Sequence, residues 1–143
     1  MVEKSSIDIQ TWNDQGYQPL IFSHDWQVAI LNWEPPIDLK TLSEIERHNH
    51  SDEVFVLVQG KALLFVHPEG KELDAVDMQP GVVYNIPQAT WHNLIATKDV
   101  KLVIVENRNT HTQDTEIRPL SSQEKNTLDQ LLPDWAKKIQ KGA

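Results

Sequence analysis

Short apolar runs, each closed by a turn signal, set the tightest limit on what this chain can fold into. They lie at residues 20–22, 26–33, 42–48, 54–58, 62–66, 73–76, 82–86, 91–95 and 100–105. Between them stand Ser23-His24-Asp25, Pro35-Pro36, Gly60-Lys61, Pro68-Glu69-Gly70-Lys71, Gln79-Pro80-Gly81, Pro87 and Thr97-Lys98-Asp99. Runs of that length and spacing belong to an all-β sandwich or barrel. Within 26–33, Trp26, Val28 and Ile30 alternate with Gln27, Ala29 and Leu31, the period of two that sends neighbours to opposite faces of a sheet. Pro35-Pro36 ends that strand, because proline cannot donate to a ladder. Gln79-Pro80-Gly81 predicts a type II turn, with proline at the second position and glycine supplying the positive φ. A further strand is expected around 7–12.

With 143 residues, the chain is expected to form one domain over 1–143, with a barrel core over about 18–106. Hydrophobic residues at 39% and charged residues at 24% fit a globular chain and exclude wholesale disorder. Thirteen Lys and Arg against twenty-one Asp and Glu leave a net charge of −8. That balance argues against a nucleic-acid partner, which needs a basic footprint, and against docking on an anionic membrane. No apolar run approaches the roughly 20 residues that span a bilayer. The opening MVEKSSIDIQTW has no apolar export core, so a cytoplasmic location is expected. There are no cysteines, so any metal must be held by histidine and carboxylate. No GxSxG, Gly-rich phosphate loop or HExxH is present.

After Glu106 the pattern changes. Residues 107–115 are polar and read as a loop. Ser121 followed by Glu124 resembles a capping box, in which each residue satisfies a free backbone N–H of the other. Leu128, Leu131, Leu132, Trp135 and Ile139 then recur at helical spacing. Pro133 interrupts them, so the helical segment of about 121–140 is expected as a kinked helix or two short ones. Its apolar stripe is expected to pack on the barrel or on a second subunit.

Two clusters carry chemistry. The first is Glu46-Arg47-His48-Asn49-His50-Ser51-Asp52-Glu53, just before the strongest strand signal. The second is Pro87-Gln88-Ala89-Thr90-Trp91-His92. Residues two apart on a strand face the same way, so Glu46, His48 and His50 point into one cavity if the strand stays regular that far. A facing strand then brings His92 to the same point. Imidazole and carboxylate suit a divalent Mn, Fe, Ni, Co, Cu or Zn ion. Phe55 and Leu57 share the parity of Glu53 and are expected on the cavity floor, with Trp91 on the opposite face from His92. His24, His67 and His111 stand beside turns or in the polar loop and are expected at the surface.

These clusters resemble the two motifs of the cupin superfamily. The first family motif runs HxH, three or four residues, Glu, six residues, Gly; here Glu53 is followed by six residues and Gly60. The second runs Gly, five residues, PxG, two residues, His, three residues, Asn; here Gly81 is followed by five residues and Pro87, with His92 five beyond. Ala89 stands where the family has glycine and Ala96 where it has asparagine. The preferred register takes His48 as the second histidine of the pair, leaving four residues before Glu53 and placing Glu46 in the first slot.

The resemblance implies a double-stranded β-helix, or jelly-roll, barrel with a short C-terminal helix. It implies a metal centre of His48, Glu53 and His92, with His50 or Glu46 as the fourth ligand. It further implies a metal-dependent enzyme acting on a small molecule, an isomerase, dioxygenase or similar, with Glu46 or His50 as the candidate catalytic base when not a ligand. The alternative is a non-enzymatic barrel that binds a sugar or metabolite beside a degenerate metal site. The acidic balance disfavours a polyphosphate substrate, and a small acid stays open if Arg47 or Lys61 lies at the site. A homodimer is expected, because exposed barrel edges invite pairing.

Overall fold

The period-two alternation becomes two five-stranded antiparallel sheets. The computed structural model describes residues 6–142; the outermost positions of the expected domain, 1–5 and 143, lie outside them. The strands are β1 (Tyr17–Phe22), β2 (Trp26–Asn32), β3 (Glu44–Arg47), β4 (Glu53–Gln59), β5 (Ala62–His67), β6 (Asp74–Asp77), β7 (Val83–Ile86), β8 (Trp91–Ala96), β9 (Lys101–Asn107) and β10 (Glu116–Pro119). One sheet has the order β1-β2-β9-β4-β7 and the other β10-β3-β8-β5-β6. Consecutive strands thus alternate between sheets along much of the chain, the winding of a jelly roll.

Between the sheets lies an apolar layer that includes Leu31, Phe55, Leu57, Leu64, Leu94, Leu102 and Ile104. The second sheet is covered on its other face as well. There Ile45, Leu63, Phe65 and Ile95 pack against Leu128, Leu132 and Ala136 of two helices, α2 (Ser122–Leu131) and α3 (Asp134–Lys141), which follow a single turn of helix, α1 (Thr110–Gln113). This double burial explains Ala62-Leu63-Leu64-Phe65, four consecutive residues at most 3% exposed. A strand with both faces covered has no reason to alternate.

Local chemistry sets the breaks. Ser121 Oγ accepts from Glu124 N at 3.0 Å and Glu124 Oε1 accepts from Ser121 N at 2.9 Å, so the capping box forms. Pro133 separates α2 from α3, giving two helices where a kink was the other expectation. Gly81 takes φ +79° and Val82 N donates to Gln79 O at 3.3 Å, closing the expected turn. Gly60 takes φ +78°, and a Cβ there would lie 2.8 Å from Val100 Cα; no other residue fits this turn from β4 of one sheet to β5 of the other without a shift.

Three features depart from the sequence reading. Residues 7–12 join neither sheet. The polar stretch 107–115 contains α1, entered through Asn109 in the left-handed region. β10, unmarked in the sequence, pairs with β3 and places Ile117 opposite Glu46. Only four residues long, with Glu116 and Arg118 on one side, it carries too little apolar pattern to signal a strand.

Candidate metal centre

The registers gather one end of the sandwich into a site. Glu46 on β3 sits directly opposite His92 on β8. Glu53 opens β4 and sits opposite Glu106, near the end of β9. His48 follows β3 on the inward parity of Glu46. As a result Glu46, His48, Glu53 and His92 each offer one ligand atom, all within 4.8 Å of one another. His92 Nε2 lies 3.7 Å from Glu53 Oε2 and 3.8 Å from Glu46 Oε1, and His48 Nε2 is in close contact with Glu53 Oε2. His48, Glu53 and His92 are at most 5% exposed.

Each imidazole is oriented from behind. His48 Nδ1 donates to Asp114 O at 2.8 Å, and His92 Nδ1 donates to Thr90 O at 2.9 Å. A carbonyl only accepts, so Nδ1 carries a proton on both rings and Nε2 faces the centre. Metal-binding histidines are commonly held this way, by a backbone carbonyl on the remote nitrogen. Buried polar atoms almost always find partners, yet Glu53 Oε2 and His92 Nε2 have none beyond the donors of the cluster itself. Two nitrogen and two carboxylate donors, two of the atoms buried with no partner outside the cluster, suit a divalent transition ion.

The electrostatics show how much these groups interact. Burial alone would raise the Glu53 carboxyl, but the His48 and His92 imidazoles outweigh it and hold its pKa below the ordinary carboxylate range. Burial would lower both imidazoles; the Glu53 carboxylate overcomes this and raises them. Glu46 is raised by burial, against the pull of His92.

His50 stands apart. It is exposed, its ring pairs with Asp114 at 3.0 Å, and its backbone N donates to the same carboxylate at 2.9 Å. The strand ends at Arg47, so the alternation that would carry His50 inward stops one turn short. Asp114 and Thr115, unmarked in the sequence, hold this loop: Asp114 also accepts from Asn49 N at 3.0 Å. Ala89, at the family's glycine position, takes φ +61° and its N donates to His48 O at 2.6 Å. The left-handed turn is therefore kept without the residue that suits it. Trp91 faces away from His92 as expected, between the guanidinium groups of Arg47 and Arg118, each 4.6 Å from the ring centre.

The centre opens into a cavity of about 240 Å³. Leu31, Ile37, Phe55, Leu94, Ile104 and Ile117 line it, and no Lys or Arg is among its lining residues. Arg47 points outward to Glu116 and Lys61 is exposed in a turn, so neither serves the site. Leu57 is buried in the core beneath Phe55 rather than lining the cavity. Beside the cluster, on the strands next to Glu53, stands a second polar group missed in the sequence. Tyr17 Oη donates to Glu106 Oε1 in a short contact, and Gln27 Nε2 donates to the same oxygen at 3.0 Å. Gln27 Nε2 also faces His111 Nδ1 at 2.9 Å. Burial, then the charge of Glu53, push the Glu106 carboxyl well above its ordinary range, against the Tyr17 and Gln27 bonds. A signal existed: Gln27 shares parity with Ala29 and Leu31, and Glu106 with Leu102 and Ile104, so each is a polar residue at the end of a core row. His111 lines the cavity rather than lying in solvent, and His67 pairs with Glu124; His24 is exposed as expected.

Two inner sheets with a His and carboxylate cluster at one mouth define a small jelly-roll barrel. The chain belongs to the cupin family, whose model matches residues 39–138. No curated protein matches it. Among solved structures, CapF with the inhibitor 3-isopropenyl-tropolone is 20% identical, with a TM-score of 0.56 over 76% of this chain and 33% of its own. A variant of Streptomyces PAC13 with uridine is 13% identical, with a TM-score of 0.53 over 85% of this chain and 95% of its own. A cupin-like protein from Thermotoga maritima is 20% identical, with a TM-score of 0.50 over 78% and 81%. These similarities concern the fold.

Proposed function

We propose that this cupin holds a divalent metal ion on Glu46, His48, Glu53 and His92 and acts as an enzyme on a small molecule in the adjoining cavity. The observation that carries the reading is that the buried atoms Glu53 Oε2 and His92 Nε2 have no hydrogen-bond partner outside the cluster and face its other donors. His50, turned to solvent, is left out of the proposed ligand set. Glu46, the most exposed of the four, completes it, so a role as base passes to another group.

Glu46, His48, Glu53 and His92 would hold the ion, which when bound would supply Lewis-acid polarisation of a substrate carbonyl or carboxyl oxygen. This chain's own residues supply the rest. The apolar walls exclude water around the ligand, and the absence of Lys and Arg selects against phosphorylated compounds. Glu106, buried and raised, exchanges a proton near neutral pH more readily than an ordinary carboxylate. Tyr17 and Gln27 hold its Oε1, which leaves Oε2 as the atom that takes or returns a proton of the ligand. That acid–base group is what favours an enzyme over a passive binder. The small ligands held by CapF and PAC13 support a small-molecule pocket of this kind.

The test is metal content by mass spectrometry on untagged protein prepared without chelator, repeated for His48→Ala and His92→Ala. Near one equivalent in the wild type, lost in both variants while the far-UV circular dichroism stays unchanged, is the expected result. A wild type that carries no metal and takes up none of the added divalent ions overturns the reading.

A further inference from the structure

We propose that a groove at the far end of the sandwich from the metal cluster is a second binding site, for a small aryl carboxylate. β8 carries His92 of the cluster at one end and finishes at Ala96, which lines the groove. Ala96 is four strand residues past His92, roughly 13 Å. Three distant segments meet there: the stretch after β2, with Trp33; the turn after β8, with Lys98; and the end of α3, with Lys138 and Ile139. The space between them is about 700 Å³, within the range of about 300–1,000 Å³ that small-molecule pockets occupy. It shares no lining residue with the cavity at the metal cluster.

The lining reverses the charge of the chain. Asp and Glu outnumber Lys and Arg by twenty-one to thirteen, yet Lys40, Lys98 and Lys138 line this groove against one acid, Asp38. That acid is already engaged. Asp38 is 9% exposed; its Oδ2 accepts from Trp33 Nε1 at 2.9 Å and its Oδ1 from Lys40 N at 2.9 Å. Among the described residues none of the three ammonium groups has a hydrogen-bond or ion-pair partner, and Lys98 Nζ lies 5.4 Å from the centre of the Trp33 ring. Arg47 and Arg118 differ, since each is paired with a glutamate.

Two features set the class of ligand. Trp33, Pro35, Ala96 and Ile139 give an apolar wall. The Asp38 bond fixes the indole within that wall, a surface suited to a flat apolar body. The lysines supply the other half. A cleft lined by one sign of charge concentrates ligands of the opposite sign. A lysine ammonium is a compact point charge that meets a carboxylate without demanding a fixed geometry. An aromatic ring bearing a carboxylate satisfies wall and cations together. The metal cavity, with its carboxylates and no Lys or Arg, discriminates the other way.

Cinnamate is the probe, and cinnamyl alcohol is its uncharged counterpart. Each is titrated into isotope-labelled full-length protein, and the indole N–H resonances of the five tryptophans are followed. Trp33→Phe assigns the Trp33 signal by its loss. Exposed ion pairs are weak singly, so Lys98→Ala and Lys138→Ala are combined in one variant. The expected result is a shift of the Trp33 resonance and an affinity for cinnamate roughly tenfold above that for the alcohol. That advantage should vanish in the double lysine variant with circular dichroism unchanged, and persist in His92→Ala. Persistence there separates this groove from the metal cavity. A Trp33 resonance that does not move, equal affinity for the alcohol, or cinnamate binding that survives the lysine changes and is lost in His92→Ala overturns the proposal. So does a Glu-Phe-Glu peptide that binds through the same lysines more tightly than cinnamate, which would make the occupant an acidic peptide.

Discussion

Ala89 shows how a single residue can record a fold's demand without meeting it well. Its φ of +61° is forced by the turn that leads into His92, where its N–H reaches His48 O. A Cβ in the left-handed region costs about 1–2 kcal/mol, part of which glycine returns as greater freedom in the unfolded chain. Ala89→Gly is therefore expected to stabilise the protein by about 1 kcal/mol in urea denaturation, with metal content unchanged; destabilisation would show that the methyl group packs usefully. At the same scale, His50 and His111 exchange the places expected of them. His50 sits two residues past His48, but the strand has ended; His111 sits in a polar stretch, but α1 turns it onto Gln27. Neither outcome is visible in spacing, because both depend on contacts with distant chain.

The junction between β10 and α2 shows what an element contributes. Arg118 donates to both oxygens of Glu124, at 2.7 and 3.0 Å, while Ser121 N and His67 approach the same carboxylate at 2.9 and 2.6 Å. The Arg118 bonds, opposed by burial and joined by Ser121 and His67, hold the Glu124 pKa far below the ordinary carboxylate range. A depressed folded-state pKa means that the unfolded chain binds the extra proton, so this stabilisation is full above the unfolded value of about 4.3 and fades as pH falls below it. Glu124→Gln is expected to cost roughly 2 kcal/mol at neutral pH. Thermal melts from pH 7 downward should show the gap between variant and wild type closing in the acid range. A gap that stays constant with pH would mean that the carboxylate's charge does not matter. The capping Ser121–Glu124 spacing was legible along the chain; the use of Glu124 as the clasp between α2, β10 and His67 was not.

For the whole molecule, the proposed metal centre draws its ligands from both sheets, and an ion held there would tie them together. An ion that binds the folded chain alone stabilises it by mass action, about 2.7 kcal/mol at a hundred times its dissociation constant. For a domain of this size that is a rise in Tm of roughly 5–10 °C. Calorimetry with and without a chelator should show that shift in the wild type and not in His92→Ala. Equal melting temperatures with and without chelator would mean that no ion bridges the sheets.

The sequence by itself determined the strand pattern, the turns at Gly60 and Gly81, the capped and proline-divided helices, and the candidacy of Glu46, His48, Glu53 and His92. These follow from alternation, backbone freedom and donor chemistry, which are local. The tertiary structure alone decided that Glu46 rather than His50 joins the cluster, that Tyr17, Gln27 and Glu106 stand beside it, and that one sheet is sealed by helices. The physical reason is register. Glu53 lies 53 residues before Glu106 in the chain yet sits directly opposite it in the sheet, and which strands become neighbours is set by how the two sheets share one core rather than by any nearby residue.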